Sequence, residues 1–203
     1  MSTQREYNEW IVMRWMAEDK DYGLPRVLLI GDSIVGGHGM KLHDALCDDF
    51  IVDYFASSKI VSDVDYWTDL EYMLHKKKYV LILFNNGLHG ATVSDDEYAA
   101  ALKSAVVKLK TYAPVLVWRN STPCYTLDPE HPNTFAPRVP VRNTIAEKIM
   151  QDAGVPILDA YSLLKNRPEL SVDGWHFTPE GYQILIDAEK ELIGKMLKGA
   201  CGK

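Results

Sequence analysis

Cysteine is scarce in this chain, and its three copies, Cys47, Cys124 and Cys201, stand far apart. An odd number at such spacing argues against a disulfide framework, and it lacks the close pairs that a zinc site takes. Long hydrophobic runs are missing as well; none approaches the ~20 residues that cross a bilayer. The opening "MSTQREYNEW" has no apolar stretch leading to a cleavage site, so no signal peptide is visible and the cytoplasm is the expected compartment. A leader trimmed beforehand leaves the same picture. Positive charge is in deficit: 22 Lys and Arg against 28 Asp and Glu give a net −6, with both signs interspersed. A nucleic-acid partner, which takes a basic surface, is therefore not expected, nor is a membrane. The single basic run, "HKKKY" from His75, reads as the solvated end of a helix. The phosphate-cradling patterns G-x-G-x-x-G and G-x-x-x-x-G-K-[ST] are absent around the glycine-rich stretch, and H-E-x-x-H is absent throughout. No metal and no cofactor are expected, and the oligomeric state is left open.

What the chain does contain is the composition of a soluble globular domain, 47% apolar and 25% charged, without repeats or linkers. One domain over residues 1–203 is expected. The runs "VLLI" from Val27, "FIVDYF" from Phe50, "YVLILF" from Tyr79, "PVLVW" from Pro114 and "VPILD" from Val155 have the continuous hydrophobicity of buried strands. Helical patterns lie between and after them, near Lys41–Cys47, Asp65–His75, Ser94–Tyr112, Val141–Ala153 and Pro179–Leu197. This alternation predicts an α/β fold: a three-layer α/β/α sandwich, flavodoxin-like, with about five parallel strands and its site at their carboxyl ends. Ahead of it, Trp10, Met13, Arg14 and Ala17 fall at helical spacing, so a helical extension is expected over residues 1–20. The long proline-rich segment from Arg119 to Pro140 is expected beside the site.

Three stretches carry possible chemistry. In "RVLLIGDSIVGGHG" a buried strand ends at Gly31-Asp32-Ser33, where the serine is either a helix cap or a nucleophile, and Gly36 and Gly37 keep bulk away. In "SVDGWHFTPEGY" Asp173 and His176 stand three apart just before the last helix. A tight loop there lets the carboxylate reach one imidazole nitrogen and leaves the other to take a serine's proton. In "LFNNGLHG" Asn85, Asn86 and His89 leave a buried strand at the same sheet edge, as donors for a developing negative charge or as partners for loop backbone.

As an ordered pair, "GDS" at Gly31–Ser33 and "DGWHFTPEGY" at Asp173–Tyr182 resemble the first and last blocks of the SGNH (GDSL-like) hydrolases, a family of serine esterases and lipases. The resemblance runs from about Pro25 to Met196. It implies Ser33 as nucleophile, His176 as base and Asp173 as the group orienting it, with no metal or organic cofactor. The family's third block, G-x-N-D, falls on Gly87-Leu88-His89-Gly90, which puts His89 where the family has its oxyanion-binding Asn; Asn85 is the alternative donor. "FNNGLHG" is similar to an F-N-x-G-L-H variant in a subgroup many of whose members are linked to carbohydrate metabolism. The second block's glycine is missing from "YFASSKIVSD", so a backbone N–H of Ser57 or Ser58 is expected in its place. Asp32, Asn86, Thr122 and Trp175 are assigned to substrate binding, Trp175 by stacking on a sugar ring. The activity implied is hydrolysis of a small acyl ester, foremost acetyl, of a small molecule such as an acylated carbohydrate, through an acyl-enzyme. The alternatives are a lipase or thioesterase for longer chains, and a non-catalytic carbohydrate-binding protein on the same scaffold.

Overall fold

Odd and even residues of the buried runs face opposite sides of one sheet, as strand geometry requires. The computed structural model describes residues 8–16 and 23–198. Its strands are β1 (Ile11–Arg14), β2 (Arg26–Gly31), β3 (Ile51–Ser57), β4 (Leu81–Phe84), β5 (Val115–Arg119) and β6 (Ile157–Leu158). The helices are α1 (Ser33–Leu46), α2 (Val64–Lys76), α3 (Asp95–Leu109), α4 (Arg138–Asp152), α5 (Ala160–Leu164) and α6 (Pro179–Lys198). The sheet order is β1-β3-β2-β4-β5-β6. All pairs from β3 to β6 are parallel, so the five strands expected from the apolar runs form the flavodoxin-like order. Leu28, Ile30, Phe55, Phe84 and Trp118 pack on the face covered by α2, α3 and α4. Val27, Leu29, Val52, Leu83 and Val117 pack on the other, under α1 and α6.

Two expectations are corrected. Residues Ile11–Arg14 are not helical; they add a sixth strand, antiparallel to β3, with Ile11 opposite Ser57 and Arg14 opposite Tyr54. The open edge of β3 offers backbone partners that a short isolated helix lacks, and pairing overrides the helical spacing of the side chains. The remaining residues of the expected extension, 1–7 and 17–20, and Cys201 lie outside the described residues. The second correction concerns α1, which begins at Ser33 rather than near Lys41, so Gly36 and Gly37 are helical. Gly37 makes room instead: a Cβ there would stand 2.4 Å from the Tyr182 hydroxyl on α6.

A buried ionic set ties α1, β5 and α6 together. Glu189 of α6 accepts from Arg119 Nη1 at 2.8 Å and faces His38 Nε2 at 2.8 Å, while His38 Nδ1 lies 2.6 Å from the Ile34 carbonyl oxygen. All three side chains are buried. Among the described residues, no helix is long and apolar enough to cross a membrane.

Candidate active site

Strand β2 delivers Gly31-Asp32-Ser33 to the carboxyl edge of the sheet, where the helix cap and the hydroxyl beside the imidazole are two different residues. Asp32 is the N-cap of α1, its Oδ1 accepting from Ile34 N at 2.9 Å. Ser33, one residue on, is left with its Oγ 2.8 Å from Nε2 of His176. Nδ1 of His176 lies 2.7 Å from Asp173 Oδ2. An ionised carboxylate only accepts, so Nδ1 carries the ring proton and Nε2 accepts from the Ser33 hydroxyl.

The turn that holds Asp173 and His176 is set by its own backbone. Asp173 Oδ1 accepts from Trp175 N at 2.9 Å and from His176 N at 2.7 Å. Partial burial works against ionisation of Asp173, but the His176 N–H, the His176 ring and the Trp175 N–H outweigh it and hold the carboxyl below its usual range. Gly174 sits at φ +87, and a Cβ there would stand 2.6 Å from the Tyr125 carbonyl oxygen. The neighbouring thiol of Cys124 is pushed up to about 12 by burial, then by Asp32 and Asp173, so it stays protonated beside the dyad.

Ser33, His89 and His176 line one cavity of about 480 Å³, with Trp10, Leu88, Phe135 and Trp175 among its walls. His89 arrives on the loop after β4, which Arg142 of α4 pins from behind: its guanidinium donates to the carbonyls of Gly87, His89 and Gly90 at 3.1, 2.5 and 2.7 Å. Arg142 is fully buried, and burial lowers its pKa. Trp10 packs edge-on to His89 with ring centroids 6.2 Å apart.

The other assigned residues stand behind the cavity rather than in it. Asn85 is buried, and its Nδ2 donates to the Arg119 carbonyl at 2.8 Å and to Ser121 Oγ at 3.2 Å, tying β4 to the end of β5. Those two acceptors engage its amide, and Asn85 does not line the cavity. Asn86 joins the loop after β3, accepting from Val61 N at 3.0 Å and donating to the Lys59 carbonyl at 3.0 Å. Ser58 donates its N–H to the Trp10 carbonyl at 3.2 Å, and Ser57 lies inside the ladder of β3, its Oγ accepting from Lys59 N at 3.1 Å. Neither serine lines the cavity. Asp32 and Thr122 are 1% and 2% exposed and do not line the cavity. Of the four residues assigned to binding, Trp175 alone lines the cavity.

Trp10, Leu88 and Phe135 were not singled out from the sequence. Trp10 reaches the site through the unanticipated strand β1, and Phe135 through the long proline-rich segment, which does lie over the strand ends. Among the described residues, no group of three His, Cys, Asp or Glu side chains is placed to hold a metal ion.

The family model described as GDSL-like Lipase/Acylhydrolase matches residues 96–189, a span that takes in Asp173 and His176. That match spans under half of the chain and is to the same family that the sequence blocks at Gly31–Ser33 and Asp173–Tyr182 resemble. The match supports a serine ester hydrolase. A GDSL-like lipase from Bacteroides thetaiotaomicron superposes with a TM-score of 0.67 at 18% identity, over 84% of this chain and 88% of that one. An acetylxylan esterase from Geobacillus stearothermophilus gives 0.63 at 17% identity, over 84% and 94%. An α/β hydrolase from the metagenome of Lake Arreo, Spain, gives 0.60 at 17% identity, over 81% and 92%. At these identities the likeness is one of fold. No curated protein sequence matches the chain.

Proposed function

We propose that this chain is an SGNH hydrolase that removes a small acyl group, foremost acetyl, from an oxygen ester of a carbohydrate, with Ser33 as nucleophile, His176 as general base and Asp173 orienting the imidazole. The observation that carries the reading is the unbroken relay from Asp173 Oδ2 through His176 to Ser33 Oγ, at 2.7 and 2.8 Å, opening on an aromatic-walled cavity. Ser33 Oγ attacks the ester carbonyl as His176 Nε2 takes its proton, which then goes to the leaving alcohol oxygen. Water, activated by the same imidazole, cleaves the acyl-enzyme and releases the acid.

The oxyanion faces two donors in this reading. One is the N–H of Ser33, at the first position of α1, where the helical ladder supplies no acceptor and the helix dipole favours negative charge. The other is the His89 imidazole across the cavity. Trp175, beside Ser33 and against the Phe135 ring at 5.6 Å, supplies an aromatic face for a sugar. The acetylxylan esterase among the similar folds is consistent with this substrate class.

The test compares nitrophenyl acetate with nitrophenyl octanoate for the wild type and Ser33→Ala. Acetate should be the better substrate, and the variant should lose at least about 10³-fold in kcat on it. Wild-type rates in Ser33→Ala would remove the nucleophile; a preference for octanoate would move the reading to a lipase.

A further inference from the structure

Next to the cavity that holds Ser33 lies a second cleft of about 330 Å³, and the two share Thr134 and Trp175 as walls. Its far side is the loop of Tyr125, Asp128, His131 and Asn133, and Asp173 closes the near side. The loop is hung on the catalytic turn by the Tyr125 N–H, which donates to the Gly174 carbonyl at 2.8 Å.

The loop contains a second Asp-x-x-His with nearly the geometry of the first. His131 Nδ1 lies 2.8 Å from Asp128 Oδ2, and Asp128 Oδ1 accepts from Glu130 N at 2.9 Å. The corresponding distances at Asp173 are 2.7 Å to His176 Nδ1 and 2.9 Å to Trp175 N. The carboxylate again places the ring proton on Nδ1, so Nε2 of His131 is an oriented acceptor on a side chain that is 83% exposed. A complementary donor stands in the same wall. Asn133 uses its Oδ1 to accept from Phe135 N and Ala136 N at 3.1 and 3.2 Å, and its Nδ2 is buried without an acceptor. A buried unmatched donor beside a cleft is costly until something fills it.

We propose that this cleft is the subsite for the alcohol half of the ester and that it takes a neutral polyhydroxyl ring. The inference rests on the esterase reading above, which puts the carbonyl at Ser33 and so the leaving alcohol across Trp175. The lining chemistry selects the ligand class. It holds no Lys or Arg to attract a phosphate or carboxylate. Leu127 and Pro132 are its only aliphatic members, too few to bury an acyl chain. An oriented acceptor, an unmatched donor and a tryptophan ring suit hydroxyls, which both give and take hydrogen bonds, on a ring that can stack.

The experiment uses a singly acetylated methyl xyloside beside nitrophenyl acetate, which has no hydroxyls to fill the cleft. Two variants are compared with the wild type: His131→Ala, and Asn133→Asp, which keeps the Oδ1 acceptor needed by Phe135 and Ala136 but removes the donor. The ratio of kcat/KM on the glycoside to kcat/KM on nitrophenyl acetate should fall about three- to ten-fold in each, chiefly through KM. Inhibition of nitrophenyl acetate hydrolysis by methyl xyloside should weaken by a similar factor. A charge effect of Asn133→Asp on His176 acts on both esters and cancels in the ratio. An unchanged ratio overturns the subsite, as does a wild type that cleaves nitrophenyl acetate but not the glycoside. A wild type that cleaves neither ester sinks the esterase reading itself, and the subsite with it.

Discussion

At the residue scale, the proposed oxyanion donor is chosen by which side chain lines the cavity. His89 and Asn85 leave the same strand only four positions apart, and both residue types can donate. Asn85 is buried with its amide hydrogens on the Arg119 carbonyl and Ser121 Oγ, whereas His89 lines the cavity. The two substitutions should therefore fail in different ways. His89→Ala should lower kcat on nitrophenyl acetate by about 10²–10³-fold with little change in melting temperature. Asn85→Ala leaves the Arg119 carbonyl without its donor and should cost about 1–3 kcal/mol of stability, seen as a lower denaturation midpoint. Equal kinetic losses without destabilisation in Asn85→Ala would restore that residue to the oxyanion site. The motif carrying both residues was legible in the sequence. Which one faces the cavity was not, because it depends on Arg119 and Ser121, partners more than thirty positions away.

At the scale of the element, the catalytic turn and the edge strand show opposite sides of legibility. Asp173 and His176 could be read because their contact is local: three residues, one turn, and a carboxylate that also holds two backbone N–H groups. Gly174 is the hinge of that turn, at φ +87 and tight against the Tyr125 carbonyl oxygen. Gly174→Ala should cost at least about 1–2 kcal/mol from the backbone alone, since an L side chain disfavours this region. Its clash with Tyr125 must also shift Asp173 relative to His176, and a misplacement near 1 Å lowers kcat by on the order of 10²-fold. Circular dichroism melts with nitrophenyl acetate kinetics read both effects; a variant with wild-type kcat would show that the turn tolerates the side chain. Strand β1, by contrast, carries only the short apolar run Trp10–Met13, whose residues also fall at helical spacing with Arg14 and Ala17. Its identity comes from the open edge of β3, where Trp10 exchanges bonds with Ser58, and through it Trp10 enters the cavity. Local periodicity cannot report a partner thirty residues downstream or more.

For the whole molecule, the helix that starts at Ser33 and the helix that follows His176 must keep a fixed relation, and Glu189 is the charged group between them. Burial alone would raise its pKa, but His38 and Arg119 outweigh that and hold it below the usual glutamate range. A depressed folded-state pKa means that the unfolded chain binds the proton more readily. The stabilisation is therefore complete above the unfolded value of ~4.3 and is lost as pH falls from there through the folded value. Asp159 and Asp173 are also depressed and act in the same direction, but on more exposed, screened groups; buried Asp53, whose pKa is raised, acts in the opposite one. The melting temperature should consequently drop as the pH is taken below ~4.3. Glu189→Gln removes the titrating group while leaving Arg119 buried without a counter-charge, so it should lose about 3–5 kcal/mol near neutral pH. Its melting temperature should also fall less steeply with acid than the wild type's. A variant with the full wild-type acid slope would place the acid sensitivity on other carboxylates and leave Glu189 a neutral-pH clamp between α1 and α6.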